Sequence, residues 1–373
     1  MATRKFSQIH VGILSVGLVI AASMIFSQHR SSSLPERRRS LSVLDPYVGS
    51  NALPSWAQHH LVDVTEKPNP SAETALFWHI PKSGGTTAKR LYECLGQTLA
   101  NRLGADPRFG HDQDEEIVVF QPFVTEPDIK FVNVDTTTKQ GILRAANLGL
   151  VASGKADMIF TSDVNFAVHH LFDPGHKGRI FALFRNPVDR SVSKFYYLQG
   201  ATWERTYRPE WAGMSIMEWA MKHNLDENFI VKKIVGKKLG ETADIGDLVT
   251  AKEIIRRRFI VGLMNDMEES IRRFNVVLGV DYTGERGQQC MGQYFGSNDK
   301  KEVPANANGA DDGKSKAAND MNSNPHPKIL EGSPEYNLLA ERNALDMILY
   351  NYITLLYAEQ KKLIDSYTTV AVV

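Results

Sequence analysis

Cysteine is nearly absent: Cys94 and Cys290 are the only two in 373 residues, too few for a disulfide-built scaffold. Net charge is absent too, because 43 Lys and Arg balance 43 Asp and Glu, which argues against a general nucleic-acid binder. No usable Asn-x-Ser/Thr sequon occurs, so glycosylation lends nothing to a lumenal location. There is no collagen-like composition and no evident internal repeat. Only one apolar run approaches membrane-spanning length, which excludes a polytopic membrane protein. What remains, at 42% hydrophobic and 23% charged residues, is a globular chain long enough for one large domain or two of ordinary size.

The one apolar run is Val11 to Phe26, charge-free and preceded by Arg4 and Lys5. It reads as a membrane-insertion signal: either an uncleaved anchor over residues 1–28 or a cleaved signal peptide processed near Ala21-Ala22-Ser23. Its continuation through Met24-Ile25-Phe26 favours the anchor. Arg30 and Arg37 to Arg39 outnumber the basic residues before the run, which on charge alone puts the C-terminal side in the cytoplasm. The short N-terminal tail and the chemistry of the domain that follows favour the opposite orientation. Residues 29–70, polar and punctuated by Pro35, Pro46, Pro54, Pro68 and Pro70, read as a flexible stem. In an oxidising lumen Cys94 and Cys290 could pair; a free, buried Cys94 on an apolar helix face is the other reading.

Beyond the stem, Ala75 to Ile80 is a short apolar run readable as a buried strand, and Ala88 to Leu95 reads as a helix. Between them lies Pro81-Lys82-Ser83-Gly84-Gly85-Thr86-Thr87. Gly84 and Gly85 let the backbone wrap closely around a guest, a helix start supplies free N–H groups, and Lys82, Thr86 and Thr87 add charge and hydroxyls. A phosphate or sulfate suits such a loop. It is not a Walker A motif, whose lysine follows the glycines, and this demotes a nucleotide kinase. A plain strand-to-helix turn is the bland alternative. A second strand-like run, Gly178 to Phe184, leads into Arg185-Asn186-Pro187-Val188-Asp189-Arg190-Ser191-Val192-Ser193. Pro187 suits a first helical turn, which leaves Arg185 at the strand's C-terminal end, where open α/β sheets bind ligands.

The segments HIPKSGGTT and FRNPVDRSVSKFYY resemble, in that order, the 5′-phosphosulfate loop and 3′-phosphate motif of sulfotransferases that use 3′-phosphoadenosine 5′-phosphosulfate (PAPS). Phe131 to Thr138 and Ile159 to Val164 resemble strand edges of the membrane-anchored heparan sulfate 2-O type. Phe259 to Met264 with Met267 to Ser270 is similar to a strand and helix common in carbohydrate sulfotransferases. The resemblance covers about residues 75 to 365, and its two loops are the specific part. It implies an α/β fold, a P-loop-type central parallel sheet flanked by helices, occupying residues 71–373. It also implies a Golgi-membrane, single-pass type II protein with a lumenal catalytic domain, moving a sulfuryl group from PAPS to a hydroxyl of a glycan or polysaccharide. Lys82 would contact the bridging and sulfonyl oxygens. Ser83, Gly84, Gly85, Thr86 and Thr87 would hold the 5′-phosphate, and Arg185 with Ser193 the 3′-phosphate. The chemistry requires no metal, and no metal-ligand cluster is discernible; nucleic acid is not an expected partner.

The acceptor hydroxyl needs a base. Where the 2-O type carries a histidine, this chain has Asp163, a weaker base unless burial raises its pKa. His169 and His170, on an expected helix Val164 to Phe172, and His79 are the other candidates; the bland readings are that Asp163 caps that helix and that the histidine pair is partly exposed. Two rivals to the enzyme stay open: a catalytically inactive sulfotransferase-fold binding protein and, less well supported, a P-loop phosphotransferase. A tyrosyl protein acceptor is a further possibility.

Neutrality overall is a sum of unlike parts. Residues 1–50 hold 6 basic and 2 acidic side chains, 101–135 hold 3 and 8, and 177–238 hold 12 and 6. The last strip includes Trp203, Arg205, Tyr207, Arg208 and Trp211, readable as a surface for an anionic sugar chain or as a charged face over core tryptophans. Residues 297–327 are polar and read as a disordered insertion within one domain. Ser333-Pro334-Glu335 reads as a helix start, and apolar spacing predicts one long structural helix from 334 to about 364.

Overall fold

The computed structural model describes residues 53–370, apart from 127, 205–206, 223–226, 239 and 297–325. The expected anchor at 1–28, the stem as far as 52, and the insertion up to 325 lie outside the described residues.

Seven strands form one sheet in the order β3-β4-β2-β5-β1-β6-β7. In chain order they are β1 (Glu73–Trp78), β2 (Thr98–Ala100), β3 (Val119–Phe120), β4 (Lys130–Val132), β5 (Met158–Thr161), β6 (Lys177–Phe184) and β7 (Phe259–Leu263). All pairings are parallel except β3 on β4 at one edge. The fold is therefore α/β with a mostly parallel central sheet flanked by helices, as expected. Central β1 registers Phe77 against Phe160 of β5 and Phe181 of β6. From Ala75 to Trp78 it is an unbroken, buried apolar run because both of its faces are covered there.

Alternation assigns the faces. Ala75 and Phe77 join one core cluster with Ala88, Leu91 and Tyr92 of helix α2 (Gly85–Cys94) and Ile271 and Phe274 of α9 (Met267–Leu278). Leu76 and Trp78 point the other way, where Trp78 meets Phe184 and Phe259 edge-on at 6.2 and 6.0 Å. Cys94, at the end of α2, is disulfide-bonded to Cys290 on α10 (Glu285–Phe295), with Cα atoms 5.8 Å apart. The pairing replaces the free-thiol reading, since α10 packs alongside α2.

Three boundaries differ from expectation. The chain turns out of β1 at Trp78 rather than Ile80, because the Ile80 N–H returns to the Trp78 carbonyl at 3.0 Å. The stem reading does not hold for residues 53–64: they include helix α1 (Ser55–His59) and bury Leu53, Ala57, Leu61, Val62 and Val64. Val62 N–H donates to the Gly178 carbonyl and Val64 N–H to that of Arg257, at 3.0 and 2.9 Å. The prolines there mark the entry and exit of a packed segment, not a flexible one.

The long helix is two: α11 (Pro334–Arg342), with the expected Ser333 cap accepting from the Tyr336 N–H, and α12 (Ala344–Val370). Asn343 breaks it, 3% exposed and off helical geometry. Its side-chain amide donates to the Leu339 carbonyl and its Oδ1 accepts from the Asn228 N–H. Asn228 Oδ1 accepts in turn from the N–H groups of Leu345 and Asp346, and the Asp346 carboxylate caps α7 (Phe229–Val235) through the N–H groups of Ile230 and Val231. This exchange of caps satisfies two buried helix starts at once.

Candidate anion-binding site

The chain leaves β1 toward β2, β4 and β5 on one side, then crosses to β6 and β7 on the other. That reversal puts the topological switch point at the C-terminal edge beside β1, the usual ligand position in open α/β sheets. The β1 loop, the β5 end and the β6 end all reach this edge.

Residues 81–84 form a turn, and α2 begins at Gly85 with Gly84 as its N-cap. Gly84 has φ +85° and caps with no side chain, leaving the first N–H groups of the helix for an outside acceptor. Gly85 is required by proximity, not by backbone angle: a Cβ there would lie 2.2 Å from Cδ2 of His79. The His79 ring thus packs directly on the helix start. Desolvation, with Lys89 and Lys82 nearby, lowers its pKa from 6.5 to about 4, so it is neutral at pH 7. Ser83 is 1% exposed, and its Oγ has no partner among the described residues. An orphaned hydroxyl, an uncapped helix start and a glycine cradle together fit a tetrahedral oxyanion.

Lys82 adopts φ +66°, a left-handed conformation that costs a non-glycine residue about 1–2 kcal/mol. Arg185, one residue beyond β6, helps hold it: Nη1 donates to the Lys82 carbonyl at 3.0 Å. The two sequence motifs are therefore in direct contact. Burial lowers the Arg185 pKa, opposed mainly by Asp189, and the group remains a cation. Helix α5 (Pro187–Gly200) starts as expected, with Pro187 in its first turn and the Asn186 side chain accepting from the N–H groups of Val188 and Asp189. Ser193 is 5% exposed, two turns along the same helix. On that helix Ser191 Oγ is also buried without a partner among the described residues, and the buried Arg190 lies over the Phe229 ring at 4.7 Å.

The candidate bases separate. Asp163 sits at the β5 end and precedes α4 (Val164–Leu171), but its carboxylate makes no cap bond and instead faces the Lys233 ammonium at 4.0 Å. His169 is carried down α4 to the opposite edge. It is exposed, its ring 6.4 Å from that of His60, whose carbonyl accepts from the Gly178 N–H at the start of β6. Seven residues of strand, roughly 23 Å, separate Gly178 from Arg185. His170, exposed beside it and lowered in pKa chiefly by desolvation, shares that position. Within the basic strip, Trp211 is core at 4% exposure while Trp203 is 46% exposed; Arg205 lies outside the described residues.

Four contacts at this edge were not assigned from sequence. Tyr197 places its ring 4.1 Å from the Lys82 ammonium; its spacing of four residues from Ser193 on one helix was the available signal. Met267 reaches Gly84 from α9, with Sδ 3.3 Å from the Cβ position. Tyr350 of α12 lies near Arg185 and Asp189, and burial raises its pKa. Lys233 of α7 faces Asp163. The last three depend on remote elements and leave no local trace.

No family model matches the chain, and no curated protein matches it either. Among the described residues no helix is long and apolar enough to cross a membrane.

Proposed function

We propose that the chain is a PAPS-dependent sulfotransferase acting on a hydroxyl of a glycan or polysaccharide. The observation that carries this reading is the Arg185 to Lys82 carbonyl bond, which brings the glycine loop and the β6 motif side by side at the C-terminal edge of the sheet. A donor with a 5′-phosphosulfate and a 3′-phosphate needs two anion sites of this kind side by side.

When bound, the donor supplies an activated sulfuryl group, whose S–O bond to the 5′-phosphate breaks as sulfur bonds to the acceptor oxygen. The N–H groups of Gly85, Thr86 and Thr87, with the Ser83 hydroxyl, hold the 5′-phosphate. Lys82 stabilises the negative charge that develops on it. Arg185 and Ser193 take the 3′-phosphate and select this donor over ATP-like nucleotides. Asp163, at the β5 end on the same edge, receives the acceptor proton. The Cys94–Cys290 disulfide supports an oxidising compartment. That agrees with a Golgi lumenal domain carried on an N-terminal anchor of type II orientation.

Incubation with sulfur-labelled donor and a panel of polysaccharides tests the reading. Wild type labels an acceptor and Lys82→Ala loses nearly all transfer; equal labelling by both would sink the role of Lys82. The pairing of Asp163 with Lys233 favours one second reading, a sulfotransferase-fold protein that binds donor or glycan without turnover. Donor binding with no transfer to any acceptor would select it.

A further inference from the structure

Tyr197 stands where helix α5 passes the anion loop, and three of its contacts converge on a single function. Its ring face lies 4.1 Å from the Lys82 ammonium. Its hydroxyl donates to Glu204 Oε1 at 2.8 Å and accepts from the Trp203 indole N–H at 3.3 Å. Beyond α5 the chain folds straight back: Ala201 N–H bonds to the Tyr197 carbonyl, and Glu204 N–H to that of Ala201. Glu204 and Trp203 are therefore delivered to the tyrosine hydroxyl by a tight local turn.

We infer that Tyr197 is a positioning residue for Lys82, its ring keeping the ammonium at the mouth of the anion loop while Glu204 and Trp203 hold the ring by its hydroxyl. This rests on the sulfotransferase reading of Lys82 and adds the group that aims it. A lysine side chain has about 2 kcal/mol of rotamer entropy to lose when a ligand immobilises it. A cation held over an aromatic face is already restricted, and the contact stabilises it by about 0.5–2 kcal/mol. An ammonium has three N–H donors, and contact with a ring on one side is compatible with donation to phosphate oxygens on another. Ring and anion are thus simultaneous partners, and removing the ring weakens anion capture.

The test is a double-mutant cycle on the full chain, read by calorimetric binding of adenosine 3′,5′-bisphosphate and by kcat for transfer. Tyr197→Leu lowers affinity or kcat by about 3- to 30-fold, the range the ring contact allows. Tyr197→Phe keeps the ring and loses clearly less than Tyr197→Leu. In a Lys82→Ala background, Tyr197→Leu causes no further loss. A full additional loss in that background would overturn the proposal, because the ring would then be supporting α5 and not Lys82. Equal damage from Phe and Leu would also overturn it, by assigning the effect to the hydroxyl alone. If wild type binds no adenosine 3′,5′-bisphosphate, the sulfotransferase reading itself fails and this inference falls with it, an outcome distinct from additivity with the nucleotide bound.

Discussion

Replacing Gly85 with alanine separates steric from conformational demands at the glycine loop. The new Cβ would sit 2.2 Å from Cδ2, 2.7 Å from Nε2 and 2.8 Å from Cγ of His79. The ring has to move, and overpacking of this kind costs about 1–3 kcal/mol. Gly85 has no left-handed φ and lies in the first turn of α2, where alanine by itself is favourable by about 0.4–1 kcal/mol. Removing the ring should therefore reverse the sign. In a His79→Ala background, Gly85→Ala becomes neutral or stabilising, a coupling of about 1.5–4 kcal/mol. Gly84→Ala behaves otherwise: its φ of +85° is the obstacle, and its neighbour, Met267 Sδ at 3.3 Å, is flexible. Its penalty of about 1–2 kcal/mol persists whether or not His79 is present. Urea unfolding of the six proteins gives the free energies. A Gly85→Ala cost that is the same with and without the His79 ring would refute the steric argument.

Acid stability should also report on His79. Its pKa in the folded protein, about 4, lies below the ordinary 6.5, so below pH 6.5 the unfolded chain binds a proton that the native site refuses. The contribution is intact above pH 6.5 and falls by about 3 kcal/mol as pH drops to 4, and His79→Gln removes that part of the slope in urea melts. Disulfide reduction, which frees a connection spanning 196 residues, should lower stability by up to about 5 kcal/mol on the loop-entropy estimate. Cys290→Ser should then melt at the same temperature with and without reductant. Asp346→Ala uncaps α7 at two N–H groups and should cost about 2 kcal/mol in the same assay, while Glu359→Ala, on α12 like Asp346, should be nearly neutral.

Local chemistry explains which parts were legible in sequence. The strand ends before Lys82 and Arg185 could be read because buried parallel strands are continuous apolar runs and Gly84, Gly85 and Pro187 punctuate them. Their meeting in one site followed only from the resemblance, since nothing in either segment states that β1 and β6 are neighbours. The break at Asn343 was hidden because the apolar spacing continues across it; the cause is a cap exchange with Asn228, more than 100 residues away. Leu53 to Val64 looked like a stem because its few apolar side chains lack a period that betrays a partner. His169 could have been set aside by geometry alone. Helix α4 runs back from the β5 end, so a residue near its C-terminus is carried away from the edge where Asp163 remains.

The central claim is that the Lys82 loop and Arg185 form one site for a nucleotide bearing both a 5′- and a 3′-phosphate. Calorimetric titration with adenosine 3′,5′-bisphosphate, against ATP and against Arg185→Ala, tests it most directly. The account predicts binding of the bisphosphate, at least about tenfold weaker binding of ATP, and a loss of about tenfold or more in Arg185→Ala, as expected for a charge-assisted bidentate contact. Equal affinity for ATP, or a bisphosphate affinity unchanged by Arg185→Ala, would contradict it.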